Sequence, residues 1–334
     1  MKKYIVGTIK FILFLSLGLL LTWFSVKNLT PTEIDGIKKS LMDADYKWVI
    51  LSMIAGIFSH FSRAIRWKIL LKTLGKNPSL KNTFYAVMIG YLGNLALPRL
   101  GEVLRCGILK RYEKIPLAES FGTVIAERVI DLLVLLILFV VSIALQFTRM
   151  RTYLTENILL PLQLKLLSIV GNKIQLLATS LIIVLGLVLF FVFRKKILQN
   201  PIVQKIKAIV LNFWEGIKTV GNIEKPFQFI FHSIVIWLMY LLTVYFCVFA
   251  FKETQSMTLS DCLIILTFGS FGVIATPGGI GAYQWIVIQI LVLWGYNTAT
   301  GVAFGWVVWL AQTAVVLLVG LLSFGLLAIN NKEK

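Results

Sequence analysis

LGNLALPRLGEVLRCGILKRYEKIPLAESFGTVIAERVID, residues Leu92 to Asp131, places Arg99, Glu102, Arg105, Glu127, Arg128 and Asp131 against or within runs that are otherwise apolar. A charge at bilayer depth costs about 2.5–3.5 kcal/mol even on lenient scales, so such residues face a protein interior or a wet cavity and mark a pathway. Pro116 opens a helix that continues to Phe147. At 1.5 Å per residue, Glu127 falls about 16 Å and Asp131 about 22 Å beyond it, near mid-bilayer. Glu127 and Asp131 share a helix face, whereas Arg128 points about 100° away. A structural interhelical ion pair is the plain alternative to a pathway, because intramembrane charges usually pair.

The segment before it, Leu80 to Leu97, is apolar, contains Gly90 and Gly93, and ends at Pro98. Basic residues flank it on both sides, with Lys68, Lys72, Lys76 and Lys81 before and Arg105, Lys110, Arg111 and Lys114 after. Both flanks prefer the cytoplasm, so the segment is expected to enter the membrane and return. A re-entrant segment is tolerated only where protein or a water-filled cavity satisfies its backbone. A second such stretch, ATPGGIGAYQW from Ala275 to Trp285, joins two short apolar runs and reads as a second hairpin, entered from the other side.

The chain of 334 residues is 58% hydrophobic and only 14% charged, where soluble proteins carry about 25% charged residues. It is therefore read as an integral membrane protein. The net charge of +18 sits in short loops between apolar runs, a pattern that fits the positive-inside rule and anionic lipid surfaces and argues against nucleic acid as partner. Cys106, Cys247 and Cys262 are scattered, and His60 and His232 are the only histidines. Neither set has metal-ligand spacing, so no metal or cofactor is expected, and the cysteines read as small buried side chains. His232 is expected at an interface or in a hydrogen bond.

Crossings are expected at 11–26, 48–71, 116–147, 176–193, 227–251 and 301–329, with 30–47 a polar loop. Arg63 and Arg66, near the far end of the second crossing, are within reach of the headgroups by snorkelling, with lining of the site as the alternative. Ile202, Ile206, Ile209, Phe213 and Ile217 recur at helical spacing, which predicts an amphipathic helix on the cytoplasmic face. Gly301 and Gly305 have GxxxG spacing suited to close helix contact.

The fold expected is an all-α polytopic membrane protein, six spanning helices plus two re-entrant helical hairpins arranged as an inverted repeat, in a single domain 1–334. The first half-repeat is 1–147 with hairpin 80–114. An external linker covers 148–175. The second half-repeat, 176–334, contains the amphipathic helix 200–222 and hairpin 261–296. This topology puts Lys and Arg on the cytoplasmic side by roughly two to one and both termini inside. Inverted repeats with broken helices meeting near the midplane are a transporter architecture, in which half-helix N-termini present N–H groups to an anionic substrate.

LPRLGEVLR at 97–105, AERVID at 126–131 and TPGGIGAYQ at 276–284 together resemble the flippase-like family typified by the transmembrane region of lysylphosphatidylglycerol synthases, the multiple-peptide-resistance-factor group. The resemblance covers nearly the whole chain. It implies a lipid-handling domain in a bacterial inner (cell) membrane, with Pro98, Arg99, Gly101, Glu102 and Arg105 matching the first motif. Glu127, Arg128 and Asp131 match the second, and Pro277, Gly278, Gly279 and Gly281 the third. Many relatives have a glutamate just after the last glycine cluster, where this chain has Tyr283 and Gln284. PGGIG lacks the second spacing of a dinucleotide fingerprint, and no P-loop occurs. No aminoacyl-transfer domain follows Lys334, so aminoacyl-lipid synthesis by this chain alone is not expected.

The expected function is a flippase or scramblase for a phosphate-bearing lipid, either a phospholipid or a polyprenyl-phosphate-linked intermediate, with these residues as the substrate-binding set. Arg99, Arg105 and Arg128 would neutralise the phosphate, while Glu102, Glu127 and Asp131 would hold them when the site is empty or receive an amine or proton. The competing readings are an enzyme acting on a polyprenyl-phosphate substrate, with Glu127 or Asp131 as base or metal ligand, and a membrane partner that stabilises a complex. The lipid, the direction of movement and the oligomeric state, a homodimer among the options, stay open.

Overall fold

A computed structural model describes residues 15–27, 29–97, 99–147, 155, 160, 161, 163–165 and 223–331. The chain divides into two compact units, 1–142 with 219–334, and 143–218; the first carries every residue of the candidate site. All regular structure among the described residues is helical. The helices are α1 (Leu15–Val26), α2 (Pro31–Met42), α3 (Tyr46–Lys72), α4 (Leu80–Ala96), α5 (Leu100–Glu113), α6 (Leu117–Leu145), α7 (Pro226–Val248), α8 (Leu259–Ala275), α9 (Ala282–Leu293) and α10 (Thr298–Asn330).

Four of these, α3, α6, α7 and α10, are long and apolar enough to cross a membrane. Their outward faces suit lipid: Ile137, Val140, Phe231, Ile234, Leu321 and Phe324 are exposed. Of the two remaining expected crossings, the first is described from Leu15 onward, and 176–193 lies outside the described residues, as do Pro98 and the amphipathic segment 200–222. The stretch 30–47 is not a loop throughout. Thr30 accepts from the Glu33 backbone N–H while Glu33 reaches back to the Thr30 N–H, a capping box that starts α2.

α3 and α7 run antiparallel along their lengths. Ser52, Gly56, Ser59 and Ser62 line the buried face of α3, small residues that let a neighbouring backbone come close where lipid offers no hydrophobic drive. Ser52 donates to the Thr243 carbonyl at 2.7 Å, and Ser62 pairs with His232 Nδ1 at 2.8 Å, as expected for that histidine. The three cysteines are free and buried.

The two broken helices follow one plan. α4 and α8 are each 17 residues, and Ser79 and Thr258 cap them by accepting from the backbone N–H three residues on. Each ends in an extended residue, Leu97 or Thr276, immediately before a proline, the conformation that a following proline imposes. Gly90 and Gly93 occupy the same positions along α4 as Gly269 and Gly272 along α8. These glycines carry the returning arm: a methyl on Gly101 would strike the Gly90 carbonyl, and one on Gly272 would lie 2.8 Å from Tyr283 N.

The bends meet. Gly278, in the turn Pro277–Gly279, has φ 61°, and a methyl built there would come within 3.1 Å of Leu95 on α4. Gly281, at φ 77°, leaves no room beside the Gly18 carbonyl, so α1 rests on the same turn. Each long helix that follows a hairpin also packs on the other hairpin's first arm. Phe139 of α6 packs at a tilt on Phe268 and edge-on against Phe271 of α8, and Gly320 of α10 lies against Met88 and Leu92 of α4.

Candidate functional site

Where α4–α5, α3 and α6 come together, five charged side chains are locked into one network. Glu127, fully buried, accepts from Arg63 Nη1 at 2.6 Å, from Arg66 Nη2 at 3.3 Å and from Arg105 Nη2 at 2.6 Å. Asp131, one turn on, accepts from Arg63 Nη1 at 2.5 Å and Arg66 Nη2 at 2.7 Å. These long side chains tie α6 to α3 and α5, while Ser142 of α6 meets Thr267 of α8 at 3.2 Å. Ser233 of α7 accepts from Arg66 at 3.2 Å and Tyr240 from Arg63 at 3.2 Å. Arg105 lies 4.3 Å over the Trp67 ring, whose Nε1 donates to Thr123 at 2.9 Å.

Arg63 and Arg66 are therefore not snorkelling; they are 2% and 0% exposed. Arg63 sits about 13 Å inside the helix end at Lys72, beyond what a guanidinium stem can span. Their role was readable in one respect: Arg63 and Arg66 are one turn apart, as are Glu127 and Asp131, which matches two charged ridges of opposite sign. Which helix would face which could not be read from either segment alone.

The remaining site residues divide. Arg128, turned away from Glu127 as the helix geometry requires, pairs with Glu102 of α5 at 3.1 Å, on a rim where the Arg128 side chain is 41% exposed. Gly101 is buried against Gly90, with its N–H given to Asn94 Oδ1 at 2.8 Å. Arg99 stands apart from the buried arginines. It caps α5 with φ 68°, and its side chain is exposed and makes no capping bond; the left-handed turn that reverses the chain directs it out of the cluster. Pro277, Gly278 and Gly279 form the second bend, held by a Trp309 Nε1 bond to the Gly278 carbonyl at 2.8 Å. Gln284 accepts from Gly281 N at 2.8 Å, so its side-chain amide closes the start of α9.

Among the described residues, three arginines, Arg63, Arg66 and Arg105, face two carboxylates, Glu127 and Asp131, and the rim pair adds one charge of each sign. The cluster holds one positive charge in excess. Each of its four guanidinium groups, Arg128 included, also has a buried Nε with no hydrogen-bond partner among the described residues. Unsatisfied buried donors and a surplus charge are both costly in a dry interior, and an anion would relieve both.

Comparison with known proteins bears on this geometry. The family described as lysylphosphatidylglycerol synthase TM region matches residues 9–320. The chain belongs to that family. A UPF0104 membrane protein of Pyrococcus horikoshii is 22% identical over 91% of this chain and 90% of its own. A UPF0104 membrane protein of Methanocaldococcus jannaschii is 35% identical over 33% of this chain, and the glycosyltransferase AglD of Haloferax volcanii 32% over 35%. Those two matches span 34% and 19% of the relatives' own lengths. No solved structure matches. Membership of the lysylphosphatidylglycerol synthase TM family, with four long apolar helices, makes this an integral membrane protein.

Proposed function

We propose that this chain moves a phosphate-bearing lipid, a phospholipid or a polyprenyl-phosphate-linked intermediate, across the cell membrane as a flippase or scramblase. In this reading six crossings and two re-entrant hairpins form an inverted repeat with both termini in the cytoplasm. The shared plan of the two hairpins, their meeting at Leu95 and Gly278, and the exchange of long helices between them support it. The observation that carries it is the buried cluster against the first hairpin, with one positive charge more than its carboxylates neutralise. Arg128 and Glu102, at the rim, receive the headgroup first. Its phosphate then replaces Glu102 on Arg128 and shares Arg105 with Glu127, while the acyl or prenyl chains remain in lipid. Guanidinium groups keep their charge at depth and offer bidentate donors.

The test is headgroup accessibility of labelled phospholipids and a polyprenyl phosphate in vesicles reconstituted with the parent, Arg105→Gln and Arg128→Gln. The parent is expected to move at least one lipid faster than protein-free vesicles do, and both variants to lose most of that excess. Parent-like rates in both variants, with their melting curves unchanged, would falsify the assignment.

A second reading follows from the similarity to part of a glycosyltransferase: the chain presents a lipid-linked substrate to a separate enzyme. It predicts that lipid binding survives in detergent while no lipid is moved in vesicles.

A further inference from the structure

The charge balance of the buried cluster narrows the ligand. Among the described residues, the full set around Glu127 is Arg63, Arg66, Arg105 and Arg128 against Glu102, Glu127 and Asp131. Tyr91 and Tyr240 border it, and the His60 ring lies tilted against Tyr91 with centroids 4.7 Å apart. The surplus is one positive charge, held where Arg63, Arg66 and Arg105 are 2%, 0% and 3% exposed. In so dry a place any uncompensated charge is expensive, and a ligand is favoured to the extent that it brings the total to zero.

We infer that the site is matched to a phosphodiester, whose phosphate carries a single negative charge, and discriminates against phosphomonoester and diphosphate headgroups. This rests on the translocation reading and adds to it the class of phosphate. A diester supplies one charge and two non-bridging oxygens, which accept from Arg105 and Arg128, each with an Nε that lacks a partner among the described residues. A monoester brings close to two charges above its second dissociation near pH 6. That leaves the cluster negative, with Glu127 and Asp131 repelling the ligand. The rim pair offers a way to shift the balance gently, because among the described residues Glu102 is bonded to Arg128 alone, its second oxygen has no partner, and Arg128 is partly exposed. Glu102→Gln adds one positive charge to the site without removing a carboxylate from the buried arginines.

The experiment compares phosphatidylglycerol, a diester, with phosphatidic acid, a monoester, of identical acyl chains in vesicles at pH 8. The parent is expected to move the diester about tenfold faster, the ratio that a mismatch of about 1.4 kcal/mol produces. Glu102→Gln is expected to bring the two rates together or reverse them. Equal rates for both lipids in the parent, or a ratio that Glu102→Gln leaves unchanged, overturn the inference while leaving translocation intact. Movement of neither lipid by the parent overturns both. If Glu102→Gln does not fold, the parent's own ratio decides. Soluble glycerophosphoglycerol, added outside at the same headgroup concentration, is expected to leave the diester rate unaltered; full inhibition would assign the site to a free ester and overturn the lipid proposal.

Discussion

Hairpin α4–α5 and hairpin α8–α9 start from arms of equal length with equivalent caps, reverse at a proline and return over glycines, yet they present opposite chemistry. The first offers Glu102 and Arg105 to α6, which answers with Arg128 and Glu127. The second is held to α10 by a neutral bond from Trp309 to the Gly278 carbonyl and contributes no charge among the residues that line its bend. The backbone plan supplies close approach at the tips, and the ionic chemistry occupies one half only. The two halves should therefore fail differently when perturbed: the first by uncompensated charge, the second by steric collision.

The largest effect is expected at Glu127. Among the described residues, Glu127→Ala takes away the only carboxylate that Arg105 touches and leaves Arg63 and Arg66 to Asp131. Breaking a buried ion pair from one side costs about 3–5 kcal/mol, so tryptophan-monitored melting in detergent should show a drop large enough to reduce folded yield. Adding Arg105→Met should recover part of that loss, since the two residues form one unit. A double variant no better than the single one would mean that the cluster is not balanced as described.

The counterpart in the second hairpin is Gly281→Ala. A methyl there strikes the Gly18 carbonyl and must also tolerate φ 77°. Overpacking and a left-handed backbone on a non-glycine residue each cost about 1–3 kcal/mol. The loss should be insensitive to salt and should not be rescued by any charge change. If Gly281→Ala melts with the parent, the docking of α1 on this bend is misplaced.

Much of this contrast is written in the residues themselves. A proline preceded by an apolar run with paired glycines marks both bends, because proline removes an N–H and glycine permits contact no other residue allows. The opposed ridges of the buried cluster were harder to read. Arg63 and Arg66 look like ordinary end-of-span cations until α6 is placed opposite them, and no local pattern announces which helix lies across the gap. Arg99 shows the reverse difficulty: its neighbours Glu102 and Arg105 face α6, but the sharp turn at residue 99 points it elsewhere. α2 was legible in the Thr30–Glu33 capping box, which its polar, mixed-charge composition obscured.

Trp309→Phe tests how much the neutral half depends on its hydrogen bond. The Nε1 bond to the Gly278 carbonyl is 2.8 Å long, and the ring that packs against Trp306 is largely kept by phenylalanine. Side-chain hydrogen bonds within membrane proteins contribute about 0.6 kcal/mol on average, so a small fall in melting temperature is expected, well under that of Glu127→Ala. An effect as large as the charge loss would show that the second bend is as dependent on polar contacts as the first.

The smallest effect should come from Gly305→Ala, although its GxxxG spacing with Gly301 suggests a contact that only glycine permits. A methyl on Gly305 would lie 3.5 Å from the Gln284 carbonyl and from Val287, ordinary van der Waals separation. On the same helix, a methyl on Gly320 would lie 3.0 Å from the Leu92 Cβ and 3.3 Å from the Met88 carbonyl, where the neighbours must give way. α10 is thus looser against its own hairpin than against the opposite one. Gly305→Ala should stay within about 0.5 kcal/mol of the parent, as substitutions without a named steric or polar penalty do, while Gly320→Ala should melt measurably lower. The reverse ranking would mean that α10 takes its position from α9, leaving the first hairpin free to move past it without disturbing the second.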